Sequence, residues 1–99
     1  MTAIFARMVT PMSGHLEDNM QFSKRRIAAI KDYCGVDIEL RVRLGGPAGQ
    51  VLMVSTHEDA GEIEELRRKI MEGVAAGVIP QPEPGMAESV EDQIWLKID

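Results

Sequence analysis

His15 and His57 are the only imidazoles in the chain, and each stands just past a β-compatible segment and at the start of a helical one. An imidazole exchanges its proton near neutral pH, so a histidine that reaches a bound molecule can serve as general base. Arg7 interrupts an otherwise apolar strand pattern. A charge there needs a counter-ion or an anionic ligand, because burying it alone is costly. Asn19, Ser23 and Arg26 fall within the apolar arc of the first helical segment, where they either orient a ligand in a mostly apolar pocket or reach water at the edge of the helix. Together these residues outline a site in which His57 or His15 removes a proton from an acidic phenol or carbon acid and Arg7 or Arg26 steadies the oxyanion. Asn19 and Trp95 are further candidate contacts for the bound molecule. A plainer account stands beside this one: surface histidines at helix starts, and Arg7 paired with Glu39, Arg41 and Arg43 as an ion-pair set at an interface.

Other chemistries find less support. The two histidines have no nearby cysteine, and Glu17, Glu58 and Asp59 are scattered around them, so metal-ligand spacing is missing and no cofactor is expected. "GGPAG" at 45–49 resembles a phosphate cradle only in its glycines, since it lacks a placed lysine and leads into a strand, not a helix N-terminus. Cys34 lies on the apolar side of a helical pattern and reads as a packed thiol. No serine or cysteine triad and no paired carboxylates are recognisable by spacing.

These residues are positioned by a βαββαβ succession. Thr2 to Val9 reads as strand one, stopped by Thr10-Pro11. Ser13 can cap a helix in which Leu16, Met20, Ser23, Ile27, Ile30 and Cys34 recur at three- and four-residue steps, and Gly35 ends it. Val36 to Leu44 alternates apolar and charged residues and reads as strand two, "GGPAG" as a turn, and residues 50–56 as strand three. Asp59 with Glu62 resembles a capping pair for a helix over 59–76 whose buried stripe is Ile63, Leu66, Ile70 and Val74. A proline-rich connector over 78–89 then leads to a short strand, "DQIWLKI".

That order predicts a ferredoxin-like α+β subunit with a four-stranded antiparallel sheet, strand order 4-1-3-2 and both helices on one face. Taking strands one and three as parallel neighbours places both histidines at one end of the sheet. Val51 to Val54 is apolar without a break, which implies burial on both faces, yet two helices cover only one. Phe5, Val9 and Trp95 can extend the uncovered patch, so a homodimer joined through the sheets is expected.

Ninety-nine residues suffice for one domain, and 44% hydrophobic with 27% charged residues is an ordinary globular balance. The net charge is −5, and basic residues cluster only in "KRR" at 24–26 and "RRK" at 67–69, which argues against nucleic acid and suggests solvated helix faces. No spanning segment or leader is apparent, so a cytoplasmic protein with no membrane partner is expected.

The topology, the "P-x-x-G" opening of helix one, the "GG-x-x-G" hairpin and the "S-T-H-E-D" entry to helix two resemble the dimeric α+β barrel superfamily, most closely the antibiotic biosynthesis monooxygenase and NIPSNAP-like small proteins. The resemblance implies a homodimer closed face to face, with a pocket between sheet and helices for a small hydrophobic, aromatic or polyketide-like molecule. It also implies a monooxygenase-like activity, or an isomerase or cyclase, needing no metal or flavin. The haem-degrading branch uses a pocket Asn, Trp and His; here strand one has no Asn and Trp95 is on the last strand, so that activity is not implied. A non-catalytic ligand-binding or assembly module is the alternative, and the residues leave the two open.

Overall fold

A computed structural model describes residues 2–46 and 49–98. Its elements follow the expected order: β1 (Ala3–Pro11), α1 (Leu16–Cys34), β2 (Glu39–Val42), β3 (Val51–His57), α2 (Ala60–Ala75) and β4 (Ala87–Leu96). β2 is shorter than the alternation from Val36 suggests, because Val36 and Ile38 pack against the Ile30, Leu66 and Ile79 cluster before the strand begins. β4 starts earlier than expected: its polar first half is read as connector from sequence, but it pairs with the end of β1 as an edge strand, where polar residues are tolerated. The expected turn at "GGPAG" falls partly on residues 47 and 48, outside the described residues.

The sheet order is β2-β3-β1-β4, the arrangement expected, and every neighbouring pair is antiparallel. The parallel relation expected of strands one and three is therefore corrected. Ala3 is opposite His57 and Val9 opposite Val51. The reason lies in the split βαβ unit: α1 carries the chain back so that β2 runs in the direction of β1, and the following hairpin returns β3 between them in the opposite direction. His57 consequently lies beside the first residue of β1, while His15 follows its last, about 25 Å away at the rise of an extended strand. The two histidines occupy opposite ends of the sheet, not one end.

Alternation decides what each face carries. Ala3 and Phe5 pack with Ile63 of α2, so the odd-numbered residues of β1 face the helices, and Val51, Met53, Ser55 and His57 share that face on β3. Phe5 and Val9 thus belong to the helix side and not to the uncovered face expected for them. That opposite face carries Ile4, Ala6 and Met8 of β1, Leu52 and Val54 of β3, and Trp95 of β4.

The helices are fixed locally. The Asp59 side chain accepts from the Glu62 backbone N–H at 3.0 Å, the cap expected for α2, and Gly35 ends α1 in the left-handed conformation. α1 is capped from His15, not Ser13, and without a side-chain bond to the helix backbone. At Gly73 the turn after α2 closes on the helix: the backbone N–H groups of Val78 and Ile79 both donate to the Gly73 carbonyl, at 2.9 and 3.1 Å. None of the described helices is long and apolar enough to cross a membrane.

Candidate functional site

Between the sheet and the two helices lies a cavity of about 480 Å³. Its walls are apolar for the most part, with Phe5, Ile30, Met53, Ile70 and Val74 among them, and Gln81 and Pro82 of the connector close one side. A volume of this size suits a small organic molecule. Into this apolar space three arginines project, Arg7 from β1, Arg26 from α1 and Arg67 from α2.

Their partners differ. Arg7 makes a forked pair with Asp92 of β4, Nε to Oδ1 at 2.7 Å and Nη2 to Oδ2 at 3.0 Å. The hydrogen bond from Arg7 holds the Asp92 carboxyl below its ordinary range, against the opposing effect of partial burial, and the same bond raises the Arg7 guanidinium. Arg67 stands 3.7 Å from the same carboxylate and lies over the Phe5 ring, 5.8 Å from its centre. Arg26 is only 8% exposed, and its Nη1 donates to the Pro80 carbonyl at 2.8 Å. Burial first, and then the charge of Arg7, push the Arg26 guanidinium down from its usual value. It stays charged at neutral pH, since arginine does not deprotonate in proteins. Among the described residues Asp92 is the one carboxylate paired with these guanidiniums, bonded to Arg7 and near Arg67, which leaves Arg26 without one in a chain whose net charge is −5.

Two further polar groups lie on the same sheet face. Ser55, a cavity-wall residue, has its Oγ 2.7 Å from His57 Nε2, and both are buried. His57 Nδ1 stands 3.8 Å from Glu62 Oε1, an oxygen that also accepts from the Glu58 backbone N–H.

The cavity brings together Arg7 and Arg26 among the residues singled out from sequence. His57 reaches it only through Ser55. His15 is on the surface, its Nδ1 3.1 Å from Asp18. Asn19 is buried, but its amide donates to the carbonyls of His15 and Met86, at 2.9 and 2.7 Å, and ties the connector to the start of α1. Trp95 is on the opposite sheet face, 61% exposed, with its indole N–H donated to Gln93. Glu39 and Arg41 pair with each other on that face too, so they do not neutralise Arg7. Cys34 is partly buried beside the Ile30 cluster, and burial raises its thiol, which disfavours the thiolate. Among the described residues no group of three or more His, Cys, Asp or Glu is placed to hold a metal.

Sequence reasoning missed Arg67, Asp92 and Ser55. Arg67 sits in a basic triplet that reads as a solvated helix face, although it follows Ile63 by four residues and precedes Ile70 by three, on the edge of the buried stripe. Ser55 and His57 are two apart on one strand, a spacing that puts both side chains on one face.

No protein-family model matches the chain, and no curated protein matches it. Solved structures do. A NIPSNAP family protein from Agrobacterium tumefaciens superposes with a TM-score of 0.70 at 19% identity, over 100% of this chain and 95% of that one. An uncharacterised NIPSNAP-like domain protein from Burkholderia xenovorans gives 0.76 at 14% identity, over 98% and 85%. A second Agrobacterium tumefaciens NIPSNAP family protein, described as of unknown function, gives 0.74 at 14% identity, over 95% and 86%. At these identities the likeness carries the fold alone: the chain has the α+β architecture of these NIPSNAP-family structures, a four-stranded antiparallel sheet with two helices.

Proposed function

We propose that the protein is a homodimer that binds a small, mostly apolar molecule bearing one anionic group in the cavity beneath α1 and α2. The observation that carries this reading is Arg26, a guanidinium nine-tenths buried against an apolar cavity and held by a carbonyl oxygen, with no carboxylate among the described residues paired to it. A buried cation without a counter-ion is costly, and an anionic ligand is the partner that removes the cost. Arg67 adds a second donor from the facing helix, and Phe5, Ile30, Met53 and Val74 offer the apolar surface. An aromatic carboxylate or phenolate satisfies both halves of such a site.

The test compares 4-nitrobenzoate with neutral 4-nitrotoluene, which keeps the nitroarene and lacks the carboxylate, by calorimetry and thermal unfolding. Saturation at about 100 times Kd adds about 2.7 kcal/mol of stability, which for a chain of this size raises Tm by more than 10 °C at about 4–8 °C per kcal/mol. 4-Nitrobenzoate is expected to produce this rise and 4-nitrotoluene far less. Equal responses, or none from either, overturn the anion site.

Catalysis on that molecule, of the monooxygenase or isomerase kind, is the further step. It draws its support from the Ser55 and His57 pair at the cavity wall.

A further inference from the structure

We propose that Ser55 and His57 form a proton relay opening on the cavity, and that the molecules it acts on are phenol-type oxygen acids of apolar body. The proposal rests on the anion site described above and adds to it a group that generates the anion in place.

The geometry points to transfer and not simply to packing. The bond from Ser55 to His57 is the one fully buried hydrogen bond between side chains among the described residues. It is set in a row of apolar neighbours, Val51 and Met53 on its own strand and Ala3 and Phe5 opposite, where aliphatic residues would fill the space at no polar cost. Its two ends have different surroundings. Ser55 belongs to the wall of the cavity, whereas His57 is 7% exposed and has Glu62 at 3.8 Å from its other ring nitrogen. A carboxylate on that side favours the tautomer with the proton on Nδ1, which leaves Nε2 as the acceptor facing Ser55.

The step balances without a further reagent. The phenolic O–H donates to Ser55 Oγ; its O–H bond breaks as a new one forms on the serine oxygen. The proton that Ser55 held passes to His57 Nε2, breaking the old serine O–H and forming an N–H. The products are a phenolate, an unchanged serine and an imidazolium. The phenolate charge is met by Arg26 and Arg67 at the cavity wall, and the proton ends on His57, away from the cavity and on the side of Glu62.

4-Nitrophenol is the probe, because its phenolate absorbs in the visible and the phenol does not. Purified protein is mixed with it in buffer below the phenol's solution pKa, beside parallel titrations with 4-nitrobenzoate, which is ionised before it binds. Wild type is expected to raise the phenolate fraction of bound probe at least tenfold over free probe. Ser55→Ala and His57→Gln are expected to lose the phenolate band while still binding 4-nitrobenzoate, and Ser55→Thr, which keeps the hydroxyl, to retain the band. If His57→Gln does not fold, Ser55→Ala against Ser55→Thr decides alone. A band that persists in Ser55→Ala assigns the ionisation to the arginines and overturns the relay while the anion site stands. Binding of 4-nitrophenol to wild type with no band also overturns it. Failure of wild type to bind 4-nitrobenzoate removes the anion site, and the relay with it.

Discussion

Arg7 and Asp92 stand directly opposite one another on β1 and β4 and share two parallel hydrogen bonds, of 2.7 and 3.0 Å. The fork both satisfies a charge on a central strand and removes one of the three cavity arginines from the pool that could meet a ligand. Stability and affinity are therefore set against each other at this pair.

Asp92→Asn tests that opposition. Losing a charge-assisted pair that is partly solvated is expected to cost about 1–2 kcal/mol of stability. It should also free Arg7 and Arg67, so that 4-nitrobenzoate binds several-fold more tightly. The pH dependence follows from the depressed carboxyl. A group whose pKa is lower in the folded state stabilises it above the unfolded value, about 3.9 for Asp, and that contribution is lost as pH falls through the folded value. Acid unfolding below about pH 4 should accordingly be shallower in Asp92→Asn than in wild type. Unchanged affinity would show that Asp92 does not restrain the arginines.

Arg26→Met removes the unpaired cation and keeps an apolar chain of similar reach. A hydrogen bond to a charged partner is worth about 1.5–3 kcal/mol, so affinity for 4-nitrobenzoate should fall about 10- to 100-fold. Stability should change by less than about 1 kcal/mol, because a buried charge is removed along with its bond to Pro80. The same substitution at the surface pair Arg68, which bonds Glu65 and Glu72 away from the cavity, should leave binding unchanged.

Gly73→Ala probes the turn that carries the chain from α2 into the connector walling the cavity. A Cβ there would sit 2.8 Å from Ile79 Cγ1 and 3.1 Å from Tyr33 Cδ2, and Ile79 is almost fully buried, so relief requires packed side chains to shift. Overpacking of this kind costs about 1–3 kcal/mol, measurable as a drop in Tm of several degrees. A neutral result would show that the Ile79 end of the core gives way.

Much of the architecture was legible because it depends on local periodicity: the three- and four-residue steps of Ile63, Leu66 and Ile70, the Asp59 cap and the alternation of β2 each have short-range causes. What was not legible depends on pairing between distant strands. The direction of β3 relative to β1 is a property of the hairpin return, and misjudging it placed His15 and His57 at one end of the sheet. Arg7 showed its need for a partner, but no local pattern identifies Asp92, since the register joining residues 85 positions apart appears only in the assembled sheet. Likewise Phe5 and Trp95 lie on opposite faces because Trp95 is opposite Ile4 and Ile94 opposite Phe5, an assignment of parity that composition cannot make.

That parity sharpens the case for the homodimer. Of the neighbouring residues Leu52 and Met53 in β3, Met53 lines the cavity beneath the helices, while Leu52 faces the other way with Ile4, Ala6, Met8, Val54 and Trp95. The helices cannot cover that second face, and a second copy applied to it would bury a patch of the order of 2,000 Å², the range of obligate interfaces. Sedimentation equilibrium at micromolar concentration should therefore give twice the 11.0 kDa of the chain. Leu52→Arg should yield a monomer or insoluble protein, and Met53→Arg should instead disturb the cavity and core. Trp95, the only tryptophan and 61% exposed on the subunit surface, reports on the contact directly. Its emission should lie to the blue in wild type, as for an indole shielded from water, and shift to the red in a soluble Leu52→Arg monomer. A folded wild-type monomer with red emission would leave Ile4, Met8 and Leu52 facing water and overturn the homodimer.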